Sequence, residues 1–530
     1  MIQRKTQTAE YWQSFTLNAD DINFLHNLLL DAQEPLTTER LALALVTERV
    51  RQEEAEIRGD LNRGRLYMPK NSYAVGDRVI FPALDFRLGE VVSLRPGQNP
   101  EYGEFDVISV DFGPDRRHRS FASRLSAPHK LNVEPTELVT GGDLASPDRL
   151  LATVAQAVPA CMAAELSRQP GFATFENRWL LRDLLAEVHV GHLNIAEALI
   201  DMRAQPIETS ALIQEFDLPT EINPEVLAFS VQSALAADER FDQVGHDEAR
   251  RWFLRRLEAP EALRIPDLLR YTPAPYDHDA LTVELLQLEW ELDDEWSDTV
   301  APPQASRLSL PATTQLLIYP HLVSGTLPLS SRSRPFFPVG HGERVMITFV
   351  DGRWGQRFPG WVVPGGRCVA GLRAWYEQHK LPAGAYLVLE RRDDPTEVVV
   401  DFRPKRMKRE WMRMAEMGEG NRLDFQMRKQ AVSCEYDEHV IIGVEQEEAI
   451  SRLQQSPAYA EAPISELAFG VFMDLAGLSQ QGTVHAKTLY SAVNVVRRCP
   501  PGPIFAVLAT DHRIQSVGDG GYRLAAELGQ

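Results

Sequence analysis

The side chains best suited to do chemistry in this chain of 530 residues are closely spaced cations. Six of them fall within eleven positions: Arg403, Lys405, Arg406, Lys408, Arg409 and Arg413. Such a group can neutralise several phosphates, and the counterions it releases would make binding strongly dependent on salt. Because Lys405, Arg406, Lys408 and Arg409 are too crowded for all of them to reach base edges, we assign them to phosphates. The alternative is a solvated basic helix that pairs with acidic residues of the same chain.

Other basic residues extend this prediction to three more places. Arg353, Arg357 and Arg367 fall where the pattern predicts loops between strands, and a forked guanidinium there could read guanine. The alternative is that they are solvated loop charges. Arg513 and Arg523 flank a predicted turn near the end of the chain. A last cluster spans residues 115–119 (Asp-Arg-Arg-His-Arg) and continues with Arg124 and Lys130, with the same two interpretations.

The residue types that usually build catalytic or metal sites do not form a recognisable pattern. His189 and His192 lack the glutamate of a zincin helix, so a structural role is expected. The acidic run 293–295 is expected to be solvated rather than to hold a cation. The four cysteines lie far apart, and acidic neighbours disfavour a thiolate at Cys434. The sequence has no phosphate-binding loop, dinucleotide motif or serine elbow. We therefore expect a protein that is not an enzyme and binds neither metal nor cofactor.

The formal charge of -20 comes from one part of the chain. Residues 131–300 hold 12 basic against 32 acidic residues, whereas residues 1–130 hold 17 against 19 and residues 301–530 hold 26 against 24. Within the last part, residues 331–430 hold 19 basic against 12 acidic residues, so a cationic surface is compatible with an acidic total. We expect the acidic segment to shield the basic half of the chain or to bind a protein partner.

Length and composition predict a multidomain protein outside the membrane. At roughly 150 residues per domain, the chain should contain about three or four domains. Hydrophobic residues make up 44% and charged residues 25%, as in globular proteins. No run approaches the roughly 18 apolar residues of a spanning helix, and the start lacks the apolar core of a signal peptide. We expect a cytoplasmic location, and the cysteine spacing argues against a secreted disulfide scaffold.

The first 130 residues predict two small domains. Apolar residues at helical spacing over 20–31, a cap at Thr37 or Thr38 and a following basic turn give residues 1–70 the element order of a winged helix. A helical cap on the next domain is the alternative. Residues 71–130 alternate short apolar runs with Gly and Pro turns, which predicts a strongly bent β-barrel. Its opening, Gly76-Asp77 followed by hydrophobic residues, resembles SH3-like barrels of the Tudor or KOW type.

One sequence phrase occurs twice, each time after a series of helices. Residues 243–245 (Gln-Val-Gly) lead through a polar turn to 252–254 (Trp-Phe-Leu), and residues 516–518 (Ser-Val-Gly) lead to 522–524 (Tyr-Arg-Leu). This phrase resembles the end of winged helix-turn-helix domains of the HARE type, in which two strands and their turn form the wing. The resemblance implies an acidic winged-helix-like domain over 140–272 and a C-terminal winged helix over 451–530. The middle copy departs from the pattern in a longer and more charged turn.

Between these copies the sequence predicts a linker, a mixed domain and a basic helix. Residues 273–335 combine an acidic run with Pro and Ser, as in linkers. In residues 336–403, strand-like runs flank a helix over 369–379, and the turn 381–384 (Leu-Pro-Ala-Gly) precedes another strand. This order resembles the pseudobarrel DNA-binding domain of plant auxin-response-type factors and some restriction-enzyme recognition domains. The resemblance implies that Arg353, Arg357 and Arg367 enter the major groove. Residues 404–450 are predicted to form a basic helix and a connection.

These predictions combine into an α+β multidomain protein in which winged-helix domains accompany a small SH3-like β-barrel and a mixed pseudobarrel. As a whole the chain resembles uncharacterised multidomain helix-turn-helix proteins of bacteria. The resemblance implies a modular protein that binds duplex DNA without catalysis, as a transcriptional regulator or DNA-architectural factor. One alternative is a protein-interaction adaptor that uses its winged helices and acidic middle domain. Another is the DNA-recognition component of a restriction or defence system.

Overall fold

The structure, a computed structural model, describes residues 4–84, 86–113, 118–132, 145–153, 157–219, 221–246, 250–296, 311–340 and 342–525. These residues form a mixed α+β multidomain protein, as the sequence predicts. The chain divides into two compact units, Met1–Val188 with Leu218–Ser233, and His189–Asp217 with Ala234–Gln530. In the described ranges, none of the helices has both the length and the apolar composition needed to cross a bilayer.

The first unit contains a helical core and two sheets. Its helices are α1 (Ala9–Gln13), α2 (Ala19–Ala32), α3 (Thr38–Leu61), α4 (Pro147–Thr153) and α5 (Ala157–Leu166). Its strands are β1 (Leu36–Thr37), β2 (Arg65–Leu66), β3 (Arg78–Phe81), β4 (Arg87–Pro96), β5 (Asp106–Asp111), β6 (Arg119–Ser123), β7 (Phe172–Phe175) and β8 (Arg178–Leu181).

The domain boundaries expected near residues 70 and 140 differ from those of the structure. Strand β1 pairs with β8, so that Leu36 lies opposite Trp179. The indole nitrogen of Trp179 donates a hydrogen bond of 2.9 Å to the Thr38 hydroxyl. Trp12 of α1 and Met162 of α5 are buried in the same hydrophobic core. Residues 145–188 therefore complete the core that begins in α1–α3, and the sequence could not show this because the contacts join distant segments.

Along the chain, a five-stranded sheet is inserted between these two parts of the core. Its strands have the order β2-β3-β4-β5-β6, and the sheet curls into a half-barrel. Strand β2 runs parallel to β3, and the later neighbours are antiparallel. Its interior contains stacked aromatic rings, with Tyr67 and Phe81 centroids 4.7 Å apart. Tyr73 and Phe81 are buried in this core and are therefore not exposed on the rim of the sheet.

The second unit contains most of the remaining elements. Its helices are α6 (Val190–Arg203), α7 (Thr209–Gln214), α8 (Pro224–Ala237, which begins in the stretch assigned to the first unit), α9 (Pro260–Leu263), α10 (Val283–Leu292), α11 (Tyr319–Ser324), α12 (Arg373–His379), α13 (Glu447–Gln455), α14 (Pro457–Ala460), α15 (Ile464–Ala476), α16 (Ala486–Val496) and α17 (Pro501–Thr510). Its strands are β9 (Ile207–Glu208), β10 (Phe241–Gln243), β11 (Arg251–Leu254), β12 (Ala312–Leu316), β13 (Thr326–Pro328), β14 (Val345–Asp351), β15 (Arg357–Val363), β16 (Cys368–Ala370), β17 (Tyr386–Arg391), β18 (Glu397–Phe402), β19 (Pro404–Met417), β20 (Leu423–Cys434), β21 (Ile442–Val444), β22 (Val484–His485), β23 (Ile514–Gly518) and β24 (Gly521–Leu524).

A seven-stranded mixed sheet occupies the region expected to hold the pseudobarrel. Its order is β12-β17-β18-β14-β15-β16-β13, with β14 and β18 parallel and the other neighbours antiparallel. The outer strands β12 and β13 come from residues 273–335, so the linker prediction is wrong for these residues. Helix α10, from the same range, buries Leu285 and Leu292 in a hydrophobic core. Residues 297–310, which carry much of the Pro and Ser signal, lie outside the described ranges.

One arrangement of elements occurs three times. In each case a helix, a short strand, two helical segments and a strand pair occur in this order, and the first strand pairs with the last. In the first repeat, the sheet β2–β6 and helix α4 are inserted between the two helical segments α3 and α5. The sheets are β1-β8-β7, β9-β11-β10 and β22-β24-β23. Two of them share a contact, because Trp252 of β11 donates to the Thr209 hydroxyl at 3.0 Å just as Trp179 donates to Thr38. The sequence phrase that occurs twice therefore belongs to an arrangement of elements that occurs three times in the structure.

The region predicted as a basic helix, residues 404–450, begins instead as a β-hairpin. Strands β19 and β20 pair from Lys408 opposite Val432 to Met417 opposite Leu423, and β21 runs parallel along the other edge of β19. Lys, Arg, Glu and Met all have good intrinsic helix propensity, which favoured the wrong prediction. Pairing with two later strands overrides that preference.

A buried group of charges lies beside the second of the three repeats. Arg344 contacts both Asp242 and Glu258, with 2.9 Å between its Nε and Glu258 Oε2. Burial, together with the neighbouring Asp242, raises the pKa of Glu258 to about 8. Although burial opposes it, hydrogen bonds from Arg255 and neighbouring groups lower the pKa of Asp242. The two carboxyl groups therefore hold one proton between them around neutral pH.

Because the pair of Glu258 and Asp242 keeps this proton in the folded state, the stability of the protein should depend on pH. The folded protein retains the proton up to about pH 8, whereas an unfolded glutamate releases it near 4.5. Because the folded state binds the proton more tightly, the free energy of unfolding should fall as pH rises from about 4.5 to about 8. Glu258→Gln should weaken this dependence and raise the thermal midpoint at pH 8, measured by circular dichroism. Glu239→Gln, at an exposed position, is the control, and an equal pH dependence in both variants would contradict the assignment.

Candidate nucleic-acid interface

The hairpin of β19 and β20 carries five of the six clustered cations, including the four that the sequence analysis assigns to phosphates. A tight turn closes it, in which the Gly418 amide donates to the Arg422 carbonyl at 2.8 Å. Gly420 and Asn421 have φ angles of 72° and 61°, a region that suits these two residue types. The register shifts between Pro404 and Lys408, so residues 405–407 bulge out of the ladder. Such a bulge re-aims side chains at the end of a strand.

The two faces of the hairpin differ in burial because side chains alternate along a strand. One face buries Met412, Met414 and Val432 in the core beneath the seven-stranded sheet. The other face presents Arg409, Trp411 and Lys429 to solvent. Trp411 is 59% exposed, and the Lys429 ammonium lies 5.1 Å from its ring centroid. We call the residues Arg409, Trp411, Met427, Lys429 and Ala431 the open face of the hairpin.

The cations at the start of β19 are available to an external anion. Arg406, Lys408 and Arg409 are exposed, and none of their side chains forms an ion pair or hydrogen bond with another described residue. Lys405 lies 5.7 Å from the Tyr436 ring centroid and is also exposed. Residues 403–434 contain nine basic and four acidic residues, so the hairpin has a net positive charge. The sequence cluster is therefore retained in the structure, on a strand rather than a helix.

The two outer members of the cluster are engaged within the chain. Arg403 lies 3.6 Å from the Glu435 carboxylate and donates to the Thr314 hydroxyl at 3.2 Å. Arg413 donates to the backbone carbonyls of Glu438 and His439, at 2.5 and 2.9 Å. Binding an anion at either position would compete with these contacts.

The loop arginines predicted to read bases also have partners. Arg353 pairs with Asp401 at 2.8 Å, donates to the Phe402 carbonyl and lies over the Phe402 ring. Arg357, at the start of β15, forms an ion pair with Glu397. Arg367 donates to the Glu295 carbonyl at 3.0 Å and its guanidinium lies 4.3 Å from the Trp296 ring centroid. The structure thus places these residues in three separate contacts.

In the C-terminal repeat, Arg513 is held at 2.6 Å from Asp511, with its guanidinium 3.6 Å from the Phe469 ring centroid. Arg523 is exposed on β24, beside the amide of Gln515. Helix α17, the third helix of this repeat, is buried from Pro501 to Leu508. The exposed part of the repeat is therefore its strand pair and not this helix.

A groove of about 470 Å³ connects the hairpin to the turn of that strand pair. Met427 of the open face, Val517 and Gly518 are among the residues that line the groove. Inside it, the rings of His439 and His485 stack with centroids 3.6 Å apart and planes 9° apart. Burial, with the adjacent His439 and Lys487, lowers the pKa of His485 to about 4. This histidine is therefore neutral at physiological pH, and sequence analysis missed it because its stacking partner lies 46 residues earlier.

The cluster after the half-barrel is only partly described. Asp115, Arg116 and Arg117 lie outside the described residues. His118 and Arg119 are exposed, and Arg124 pairs with Asp106 at 3.4 Å. The cluster keeps its two interpretations.

The acidic run 293–295, expected to be solvated, is instead buried, so that expectation is wrong. Arg498 donates to Asp294 and Glu295, in each case at 2.6 Å, and Tyr490 donates to Asp294 at 2.5 Å. His321 lies 3.2 Å from Glu295. Within the described part of the chain, no three His, Cys, Asp or Glu side chains are grouped to hold a metal ion. The buried Arg498 guanidinium therefore pairs with both Asp294 and Glu295.

The other residues considered for chemistry have structural surroundings. His189 caps α6 by accepting from the Gly191 amide at 3.0 Å, and its ring stacks on His192 with centroids 3.8 Å apart. Burial raises the pKa of the Cys434 thiol to about 11, so this cysteine is protonated at neutral pH. No nucleophile or ligand set emerges from these residues.

Comparison with models of protein families, with characterised proteins and with solved structures gives no match to this chain.

The buried network predicts a large stability effect. Arg498→Met should lower the free energy of unfolding by about 3–5 kcal/mol, because it leaves two buried carboxylates without their cation. Arg497→Met is the control, since its guanidinium donates to the carbonyls of residues 459, 460 and 462 and pairs with none of the described carboxylates. That change should cost about 1–2 kcal/mol. Urea denaturation measures both, and equal losses would show that the buried charges are not critical.

Proposed function

We propose that the chain is a modular DNA-binding protein without catalysis, acting as a transcriptional regulator or DNA-architectural factor in the cytoplasm. Its principal contact is the hairpin of β19 and β20. The carrying observation is that the side chains of Arg406, Lys408 and Arg409 are exposed without an anionic partner among the described residues. Arg409 shares its face of the hairpin with Lys429 of the second strand. Most arginines discussed above are engaged by carboxylates, carbonyls or rings. Cations left without such partners are available to phosphates.

The architecture supports a modular interpretation. We assign the threefold repeat to winged-helix domains, since its first strand pairs with the last strand of the wing hairpin. We assign the curled sheet of β2–β6 to an SH3-like barrel and the seven-stranded sheet to a pseudobarrel. Among described residues, α5 carries no basic residue, and α17 is mostly buried. Phosphate contact is therefore expected from the strands and turns of these domains rather than from these two helices.

The acidic segment 131–300 contributes to this function through its charge and not as a separable domain. Residues 145–188 complete the core of the first unit, and Leu285, Leu292 and Glu295 are buried in the second. A chain beginning at residue 331 would leave Arg498 buried without its carboxylates, so deletion is not a test of shielding. The proposal keeps the expectation that these acids limit nonspecific DNA binding.

A protein-interaction adaptor is the second candidate, favoured by one specific observation. Helix α6 exposes Ile195, Ala198 and Met202, which share one face at helical spacing. Met202 is 79% exposed. Exposed apolar helix faces are a common means of docking partners. A further alternative is that the chain is the DNA-recognition component of a restriction or defence system. That role would use the same hairpin to bind DNA, so it is a variant of the main proposal.

The proposal predicts the effect of removing the free cations. A variant with alanine at Lys405, Arg406, Lys408 and Arg409 should bind duplex DNA weakly, and its salt dependence should fall because fewer counterions are released. Each single change should reduce the slope of log affinity against log salt by about one unit, equally on all sequences. Fluorescence anisotropy across a salt series measures both quantities.

The matched control for this experiment is Arg428→Ala. Arg428 is on the opposite face of the same hairpin and is paired with Glu416 and Glu445. Its loss should leave the salt slope unchanged. If the quadruple variant keeps both affinity and slope, the contact moves to the C-terminal turn around Arg513 and Arg523, or the adaptor becomes the better proposal.

The loop arginines predict a different outcome. If Arg353, Arg357 or Arg367 reads a base, its alanine variant should lose roughly 1–3 kcal/mol of binding on the preferred sequence and little elsewhere. If it acts only through its observed partners, the variant should lower the thermal midpoint and leave the sequence preference intact. Affinity selection on a random duplex library, followed by thermal unfolding of each variant, separates these roles.

A further inference from the structure

Trp411 is an exposed aromatic side chain at the centre of a cationic surface. Along its strand, Arg409 and Arg413 point to the same face, and Lys429 lies directly opposite on β20. Leaving 59% of an indole in water forfeits much of the stabilisation that burying this large side chain would provide. The position therefore carries a stability cost that a bound ligand would offset.

The surroundings of the indole restrict the chemistry of that ligand. Lys429 lies over the ring, and no other aromatic ring of the described residues stacks on it. The ligand must offer a flat surface to the free face of the indole and negative charge to Arg409 and Lys429, which share that face of the hairpin. An apolar protein partner satisfies the first condition only. A nucleotide satisfies both, through its base and its phosphate.

Whether its bases are paired decides whether a nucleic acid can stack on Trp411. In an intact duplex both faces of each base are already stacked, so an indole on a flat strand reaches phosphates and groove edges but not a base face. In a single strand the base faces are accessible, and an aromatic ring beside cations is the typical stacking platform. Met427 of the open face also lines the groove beside His439 and His485, which extends this surface towards the C-terminal turn.

We propose that the open face of the hairpin binds unpaired nucleotides, with one base stacked on Trp411 and the adjoining phosphates on Arg409 and Lys429. This inference rests on the proposed function and specifies its ligand as single-stranded or locally unwound nucleic acid. Because Trp411 has no means of sensing a ribose, DNA and RNA strands share this chemistry.

The test measures binding of the full chain to fluorescein-labelled oligo-dT, oligo-U and a mixed-sequence duplex of equal length. Trp411→Ala should weaken oligo-dT binding roughly tenfold or more, within the usual range for one stacked base, and change duplex binding less than about twofold. Trp411→Phe should restore most of the affinity. Oligo-U responding like oligo-dT would extend the site to RNA, and a response confined to oligo-dT would restrict it to DNA; either result supports the proposal.

Trp290→Ala is the matched control. Trp290 is 55% exposed on α10, but the Arg332 guanidinium lies 4.3 Å from its ring centroid. Its loss should not change binding. Stacking should also quench tryptophan fluorescence when oligo-dT binds the wild type, and this quenching should largely disappear in Trp411→Phe. Thermal midpoints verify that each variant is folded.

The possible failures are distinguishable. If wild-type protein binds every probe but Trp411→Ala weakens all of them equally or none of them, the stacking inference is wrong and the phosphate contact stands. If wild-type protein binds no nucleic acid even at low salt, the proposed function itself is wrong. Trp411 would then fit the hot spot of a protein interface better.

Discussion

The ion pair of Arg498 with Asp294 and Glu295 is the contact on which the second unit depends. All three side chains are shielded from water, and more than 200 residues separate the guanidinium from its partners. Removing one member of such a pair costs far more than the pair itself contributes, because a lone buried charge has neither water nor counterion. The pair fixes the chain around residue 295 against the C-terminal repeat. It also joins the sheet region through His321, which contacts Glu295.

The hairpin of β19 and β20 extends from this body and is fixed at both of its ends. Its turn end contributes Ala415, Leu423 and Phe425 to the core of the C-terminal repeat. Its other end contributes Met412 and Val432 to the core of the seven-stranded sheet. Only the opposite face of that second part remains open, and Arg409, Trp411 and Lys429 are found there. A surface held by two cores can present several side chains at once with little loss of conformational entropy on binding.

The hairpin has a positive net charge, whereas the whole chain has a negative net charge. Many arginines of this acidic chain are neutralised close to where they lie, as Arg344 is by Asp242 and Glu258 and Arg353 is by Asp401. The start of β19 is different because the strand faces solvent and its acidic neighbour Glu410 lies on the other face from Arg409. A net charge of -20 would limit nonspecific attraction to phosphate, and the hairpin provides a defined exception to it.

The sequence by itself determined the α+β class, the crowding of cations at residues 403–413 and the strand pairs of the second and third repeats. These features depend on composition and on neighbours within about ten residues. Tertiary structure alone decided that residues 404–417 are a strand, since the partner β20 supplies the hydrogen bonds that override helix propensity. It also decided that residues 293–295 are buried, because Arg498 lies far along the chain, and that β1 pairs with β8. The tertiary structure also decided which arginines have partners, because those partners come from other strands and loops of the fold. Glu397, the partner of Arg357, is an example.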